Sequence, residues 1–195
     1  MRYRSFPRPM PEIETERLRL RRFRQSDLQS AYAWGSDPEV SRYAFWDTHE
    51  SPVDTQAFLD FCFREYEEKG IGPWAVELKA TGDMIGNCSF GRIFLDDSRI
   101  EIAYFFVRTH WNRGYATEGV RAMLGFGFDT LECNRIEARC VPANAASERV
   151  MQKAGLEYRG TLTFHIEPRE KDVDLKVYSL LRWQWLLRGG GATGL

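Results

Sequence analysis

Between Trp74 and Val107 the chain offers three strand-like segments, residues 74–79, 84–94 and 100–107, joined only by Thr81-Gly82-Asp83 and Asp96-Asp97-Ser98. A crossover to a parallel neighbour needs about a dozen residues or more, whereas short polar turns suit adjacent antiparallel strands, so a meander is expected here. The rest of the chain has to be built around that ribbon. Residues 15–23 set Leu18, Leu20 and Phe23 among arginines, the pattern of a half-buried first strand with Arg17, Arg19 and Arg21 turned outward. Ser26-Asp27-Leu28-Gln29 resembles a capping box opening a helix through Trp34, and Asp37-Pro38 ends it. A second helix has Ser51 as its cap and Pro52 in its first turn, with Phe58, Phe61, Cys62 and Tyr66 at helical spacing and Lys69-Gly70 as its stop.

After Val107 the pattern becomes loop, helix, strand, helix. Val120, Met123, Leu124, Phe128 and Leu131 fall on one helical face, residues 135–141 read as a strand, and residues 144–154 read as a helix stopped by Gly155. Two last strands, residues 156–163 and 175–181, flank a charged turn at Glu167-Pro168-Arg169-Glu170. A meander followed by strand-loop-helix units implies one α/β domain, a mixed sheet with helices on both sides, over residues 12–187. Residues 1–11 form an N-terminal extension, and residues 188–195, with Gly189-Gly190-Gly191, are expected to be a flexible tail.

The 195 residues are 43% hydrophobic, enough for a sizeable core, and carry a net charge of -1. That balance conceals an asymmetry, because residues 1–24 hold eight Arg against three Glu. A uniformly basic nucleic-acid binder is thereby disfavoured. Cys62, Cys88, Cys133 and Cys140 form no CxxC pair, and His49, His110 and His165 are scattered, so no metal site is expected and a reducing, cytoplasmic setting is the default. The first 11 residues lack an apolar stretch and no run approaches the ~18 apolar residues of a membrane span, so neither secretion nor insertion is expected.

The chemistry is concentrated in residues 110–119, His110-Trp111-Asn112-Arg113-Gly114-Tyr115-Ala116-Thr117-Glu118-Gly119. A glycine-containing turn feeding a helix leaves several N–H groups without intrahelical partners at the positive end of the helix dipole, which suits an anion. Gly114 and Ala116 keep the surface low, and Arg113 and Arg108 add positive charge. The loop is neither a GxxxxGK[ST] P-loop nor a GxGxxG dinucleotide turn. Taken alone, it fits a phosphate site and a plain helix-entry turn equally well.

The run from Trp111 to Glu118 resembles the acyl-CoA pyrophosphate loop of the GNAT N-acetyltransferases, and more closely the RimJ/RimL-type branch that acetylates ribosomal-protein N-termini and related amines. The resemblance extends over residues 12–185. It includes Glu14-Thr15-Glu16-Arg17-Leu18-Arg19-Leu20-Arg21, Ile85-Gly86, Glu101-Ile102-Ala103-Tyr104, Asn144-Ala145-Ala146-Ser147 and Lys153-Ala154-Gly155-Leu156. It implies the GNAT fold: a mostly antiparallel seven-stranded sheet with about four helices and splayed central strands, parting between residue 107 and the strand that begins at Arg135. Trp111 stands where the general family has Gln or Arg. Met151 stands seven residues after Asn144, where many members place a tyrosine as the acid that reprotonates CoA.

The resemblance implies acetyl-CoA as cosubstrate and no metal. The backbone of Asn112, Arg113, Gly114, Tyr115, Ala116 and Thr117 would hold the phosphates, Asn144 would contact the pantetheine arm, and an N–H near Val107 would receive the thioester oxyanion. Glu101 is the candidate base; it shares a strand face with Ala103, Phe105 and Val107, where partial desolvation makes a carboxylate a stronger proton acceptor. Its alternative is an exposed glutamate paired with Arg99 or Arg139. Ser147 is the candidate at the thiolate, its alternative a helix-capping role. Tyr104, Phe105 and Phe106 read as core, while Trp34, Trp46 and Trp74 are candidates for an acceptor pocket. The expected function is direct transfer to a primary amine, a protein N-terminus or a small molecule such as an amino acid, polyamine or aminoglycoside; the alternative is a non-catalytic CoA-binding module. Exposed sheet edges are compatible with a homodimer, and Arg2, Arg4 and Arg8 are left for contact with an acidic macromolecule.

Overall fold

The computed structural model describes residues 7–94, 96–166 and 171–190. Eight strands form one sheet: β1 (Ile13–Glu14), β2 (Leu18–Arg22), β3 (Trp74–Leu78), β4 (Met84–Phe94), β5 (Arg99–Phe106), β6 (Arg135–Cys140), β7 (Glu157–Ile166) and β8 (Lys171–Leu181). Their order across the sheet is β1-β2-β3-β4-β5-β6-β8-β7. The expected meander is β3-β4-β5, antiparallel throughout, and every other neighbouring pair is antiparallel except β5 and β6. Six helices accompany the sheet: α1 (Leu28–Gly35), α2 (Pro38–Ser41), α3 (Pro52–Lys69), α4 (Tyr115–Gly125), α5 (Ala145–Ala154) and α6 (Arg182–Leu187).

The expected seven strands and four helices are exceeded by short pieces at the margins, the two-residue β1, the one-turn α2 and the six-residue α6. α1 stops at Gly35, just before Asp37-Pro38 as expected, and Pro38 in addition begins α2, where the Asp37 carboxylate accepts from the Glu39 N–H at 2.9 Å. α3 starts and stops where Ser51-Pro52 and Gly70 predict, Gly70 taking φ 73°.

Alternation along β5 sorts the helices onto two faces. Phe105 stacks on Trp34 of α1, with ring centroids 6.2 Å apart. The neighbouring residue Phe106 points the other way and approaches Gly119 of α4, as does Cys88 of β4. α1 therefore covers one face and α4 the opposite one. On the α4 face Trp74 packs edge-on against Phe90 and Phe126.

The first strand departs from expectation at Arg21, which is 3% exposed. Its guanidinium meets both carboxylate oxygens of Asp27, at 2.8 and 2.9 Å, and Glu77 Oε2 at 2.6 Å. Each buried charge is thus matched, the condition for tolerating charge inside a protein. The chain after α6 is also held. Arg188 donates to the Gly155 carbonyl and to Glu157, and the N–H groups of Gly189 and Gly190 donate to Leu186 and Trp185. These contacts extend as far as Gly190; residues 191–195, Arg2, Arg4 and the turn predicted at 167–170 lie outside the described residues.

Candidate active site

β5 and β6 pair in parallel over only three residues, Arg99 with Arg135, Ile100 with Ile136 and Glu101 with Glu137. Beyond that point β5 follows β4 as far as Phe106, while β6 follows β8 as far as Cys140. A gap therefore opens in the middle of the sheet, as the resemblance implied, and Glu101 sits at its vertex.

The N–H of Val107 itself donates to the Ile85 carbonyl at 2.9 Å, so the free N–H expected near Val107 has to come from a neighbouring residue. In an antiparallel ladder the backbone groups of successive residues point to alternate sides, so those of Phe106 face the gap. The Phe106 carbonyl is taken by the Trp111 indole N–H at 2.7 Å. This explains how tryptophan serves at that position of the loop: it caps the last strand carbonyl that β6 has left unpaired. The close approach of β4 and β5 here depends on Gly86, since a Cβ there would strike the Phe105 carbonyl oxygen.

The loop that follows has two residues in the left-handed region, Asn112 at φ 58° and Gly114 at φ 84°. Gly114 supplies no side-chain cap to α4, and the first intrahelical bond runs from the Glu118 N–H to the Gly114 carbonyl at 3.0 Å. The N–H groups of Tyr115, Ala116 and Thr117 consequently have no partner within the helix, the arrangement that receives an anion. Asn112, Gly114, Tyr115, Ala116 and Thr117 line one cavity of about 380 Å³ together with Asn144 and Ser147. Arg113 stays exposed, its carbonyl accepting from Arg17 at 3.0 Å. Arg108, expected to add free positive charge, is paired with Asp37 at 3.0 Å. Sequence reasoning missed Arg149 and Lys153, which line the same cavity and make no ion pair among the described residues. Their spacing of four along α5 puts both cations on one helical face, a signal present in the sequence.

Arg17, expected to be solvated strand surface, braces the loop instead. Its Nε and backbone N–H donate to the Glu118 carboxylate at 2.7 and 2.9 Å, Thr15 adds a third hydrogen bond at 2.6 Å, and its guanidinium lies 4.5 Å from the centre of the Tyr115 ring. Burial pushes the Glu118 carboxyl up, but the hydrogen bonds from Thr15 and Arg17 outweigh it and hold the group below the usual carboxylate range. The carboxylate is thereby neutralised by a cation that also reaches Arg113 and Tyr115 at the start of α4.

On α5, Asn144 caps the helix by accepting from the Ser147 N–H at 3.0 Å. Ser147 is not a second cap: its hydroxyl is 2.9 Å from the Tyr104 hydroxyl. Tyr104, read from sequence as core, is thus a wall of the cavity. Met151 is fully buried. Glu101 points to the opposite face of β5 from Tyr104 by strand alternation. Its side chain is 20% exposed, its Oε2 is buried without a hydrogen bond, and Arg139 lies 3.6 Å away. Of the two arginines weighed as its partners, Arg99 is committed to Asp97 and Glu137. Trp34, Trp46 and His49 gather with Phe105 on that same face, whereas Trp74 belongs to the core on the other side.

All four cysteines are buried free thiols. Burial pushes Cys88 and Cys133 up to about 12 and Cys140 up to about 11, and Cys62 is shifted upward too. Among the described residues there is no cluster able to hold a metal ion, and no helix is long and apolar enough to cross a membrane.

Residues 17–157 match the family described as the acetyltransferase (GNAT) domain. The uncharacterized N-acetyltransferase p20 of Bacillus licheniformis is 30% identical over 180 residues, covering 90% of this chain and 99% of that protein. A GNAT-family acetyltransferase structure from Bacillus anthracis superposes with a TM-score of 0.78 at 28% identity, over 89% of this chain and 99% of its own. The RimL ribosomal L7/L12 α-N-protein acetyltransferase, solved with coenzyme A, has the same fold at 15% identity, with a TM-score of 0.74 over 88% and 98% of the two chains. The chain belongs to the GNAT family and is an acetyl-CoA-dependent N-acetyltransferase.

Proposed function

We propose that this enzyme moves the acetyl group of acetyl-CoA directly to a primary amine in a ternary complex in the cytoplasm, and that the amine is a peptide N-terminus. The observation that carries the reading is the parting of β5 from β6 immediately beyond Glu101 and Glu137. It supplies unpaired backbone for the pantetheine amides, with the anion loop at one end and a carboxylate at the other. The pyrophosphate lies against the N–H groups of Asn112 through Thr117, and Arg149 and Lys153 balance its charge. Asn144 contacts the pantetheine arm.

Glu101 accepts the proton of the attacking amine through water. The amine nitrogen then bonds to the thioester carbon, and the oxyanion is received by the gap-facing Phe106 N–H. Collapse breaks the carbon–sulfur bond, and its electron pair leaves on sulfur, opposite Ser147. Direct transfer is supported by the four neutral, buried thiols, none of which is disposed as a nucleophile. A peptide acceptor is supported by the open strand edges of the gap and by the RimL likeness. The aromatic group of Trp34, Trp46 and Phe105 favours a second reading, a small-molecule amine.

A screen of acetyl-CoA consumption against N-terminal peptides, amino acids, polyamines and aminoglycosides tests both. Turnover with peptides alone supports the first reading, and turnover confined to small amines replaces it with the second. With the accepted amine, Glu101→Gln is expected to lower turnover about 100-fold and to remove the acidic limb of the pH–rate profile. An unaltered profile excludes Glu101 as the base.

A further inference from the structure

The acetyl-transfer mechanism leaves unused a half-buried hydroxyl in the wall of the cavity. Tyr104 reaches from β5 across the cavity to α5, where its oxygen is 2.9 Å from Ser147 Oγ and 3.1 Å from the Ser147 carbonyl oxygen. Burial pushes its ionisation well above the ordinary tyrosine range, so the hydroxyl keeps its single proton. The nearest titratable neighbours, Cys88 and Cys140, are themselves neutral. Glu148, the charged residue next along α5, is satisfied by Lys176 and Tyr178.

One proton and two acceptors make a choice. If Tyr104 donates to the carbonyl, it must accept from Ser147, and the serine proton is turned into the protein. If it donates to Oγ, the serine proton is free to turn toward the cavity. The Ser147 carbonyl, in the first turn of α5, already receives an intrahelical N–H, whereas Oγ needs a donor and is the closer atom.

We propose that Tyr104 is a positioning residue that donates to Ser147 Oγ and thereby aims the Ser147 proton at the departing sulfur of CoA. The inference rests on the acetyl-transfer reading above, in which that sulfur faces Ser147. No further reactant is required. The electron pair of the broken carbon–sulfur bond resides on the thiolate, which accepts a hydrogen bond from Ser147, while the amine proton has gone to the base.

The test is the ultraviolet titration of the CoA thiol bound to the intact enzyme, which needs no acceptor. A charge-assisted hydrogen bond should make bound CoA ionise about one pH unit below free CoA. Tyr104→Phe and Ser147→Ala are each expected to abolish most of that shift, and the double variant to abolish no more than Ser147→Ala alone. CoA affinity measured by calorimetry should change less than about threefold, given that neither group touches the phosphates. A merely structural tyrosine would leave the titration where it was. A fluorinated tyrosine at position 104, with the same shape and a more acidic hydroxyl, should lower the bound thiol further, and this arm holds even if Tyr104→Phe folds poorly. Should CoA bind and Ser147→Ala move the titration while neither Tyr104 variant does, the positioning role is overturned and the reading of the site stands. Should the wild-type enzyme bind no CoA, the reading fails and the inference falls with it.

Discussion

Gly114 turns the chain into α4 at φ 84°, and a Cβ there would also meet the Arg17 guanidinium at 3.3 Å. A β-branched side chain in this conformation costs about 1–2 kcal/mol in backbone strain alone and would stand where the phosphates are proposed to approach. Gly114→Val is expected to weaken acetyl-CoA binding at least tenfold by calorimetry; undiminished affinity would remove the loop from the cofactor site. This residue was legible in the sequence because a left-handed turn before a helix is a local demand that glycine meets. The same holds for Gly70, Gly155 and the Ser51-Pro52 start of α3. Tyr104 was not legible. A tyrosine between Ala103 and Phe105 looks like core until α5, 43 residues away in sequence, brings Ser147 to its hydroxyl.

The loop is held as an element by the turn between β1 and β2, through Arg17 and Thr15 on Glu118. Glu118→Ala would leave the loop without that brace and Arg17 without its carboxylate. Arg17 is substantially exposed, so solvent screens part of the loss. Acetyl-CoA affinity is expected to fall about threefold to tenfold, on the scale of one hydrogen bond to a charged group, and the melting temperature by a few degrees. Calorimetry and thermal melting check both, and unchanged affinity would make the contact structural only. Alternation along the first strand marked Arg17, Arg19 and Arg21 as one outward row. It could not show that the row is covered unequally: Arg17 by α4, Arg21 by Asp27 and Glu77, with Arg19 left at the rim.

At the scale of the molecule, the sheet separates two chemistries. The glycine loop before α4, Ser147 and Tyr104 lie with α4 and α5; Glu101, Phe105 and the aromatic group lie on the face covered by α1; the gap joins them. His49 belongs to that second face, its Nδ1 2.8 Å from the Thr55 hydroxyl and its ring against Trp34 and Trp46. Burial holds its ionisation below the ordinary histidine range despite the opposing pull of Asp54. In the unfolded chain the imidazole takes a proton near about pH 6.5, while in the folded protein it resists, so His49 contributes stability above that pH and loses it as the pH falls. Between about pH 7 and pH 5 the melting temperature should therefore drop more for the wild type than for His49→Gln. Equal drops would assign the acid sensitivity elsewhere.

By itself the sequence determined the order of the main elements, the meander, the ends of α3 and α5 and the glycine turn before α4, because each depends on side-chain period and backbone preference within a few residues. Its resemblance to a family carried Glu101, Ser147 and Asn144 to their positions. Only the tertiary structure decided that Val107 spends its N–H on Ile85, that Trp111 caps Phe106, that Arg21 is interior, and that Tyr104 meets Ser147. These are contacts between groups far apart in the chain or turned by a neighbouring strand. No periodicity encodes which partner a polar group finds once folding has removed water from around it.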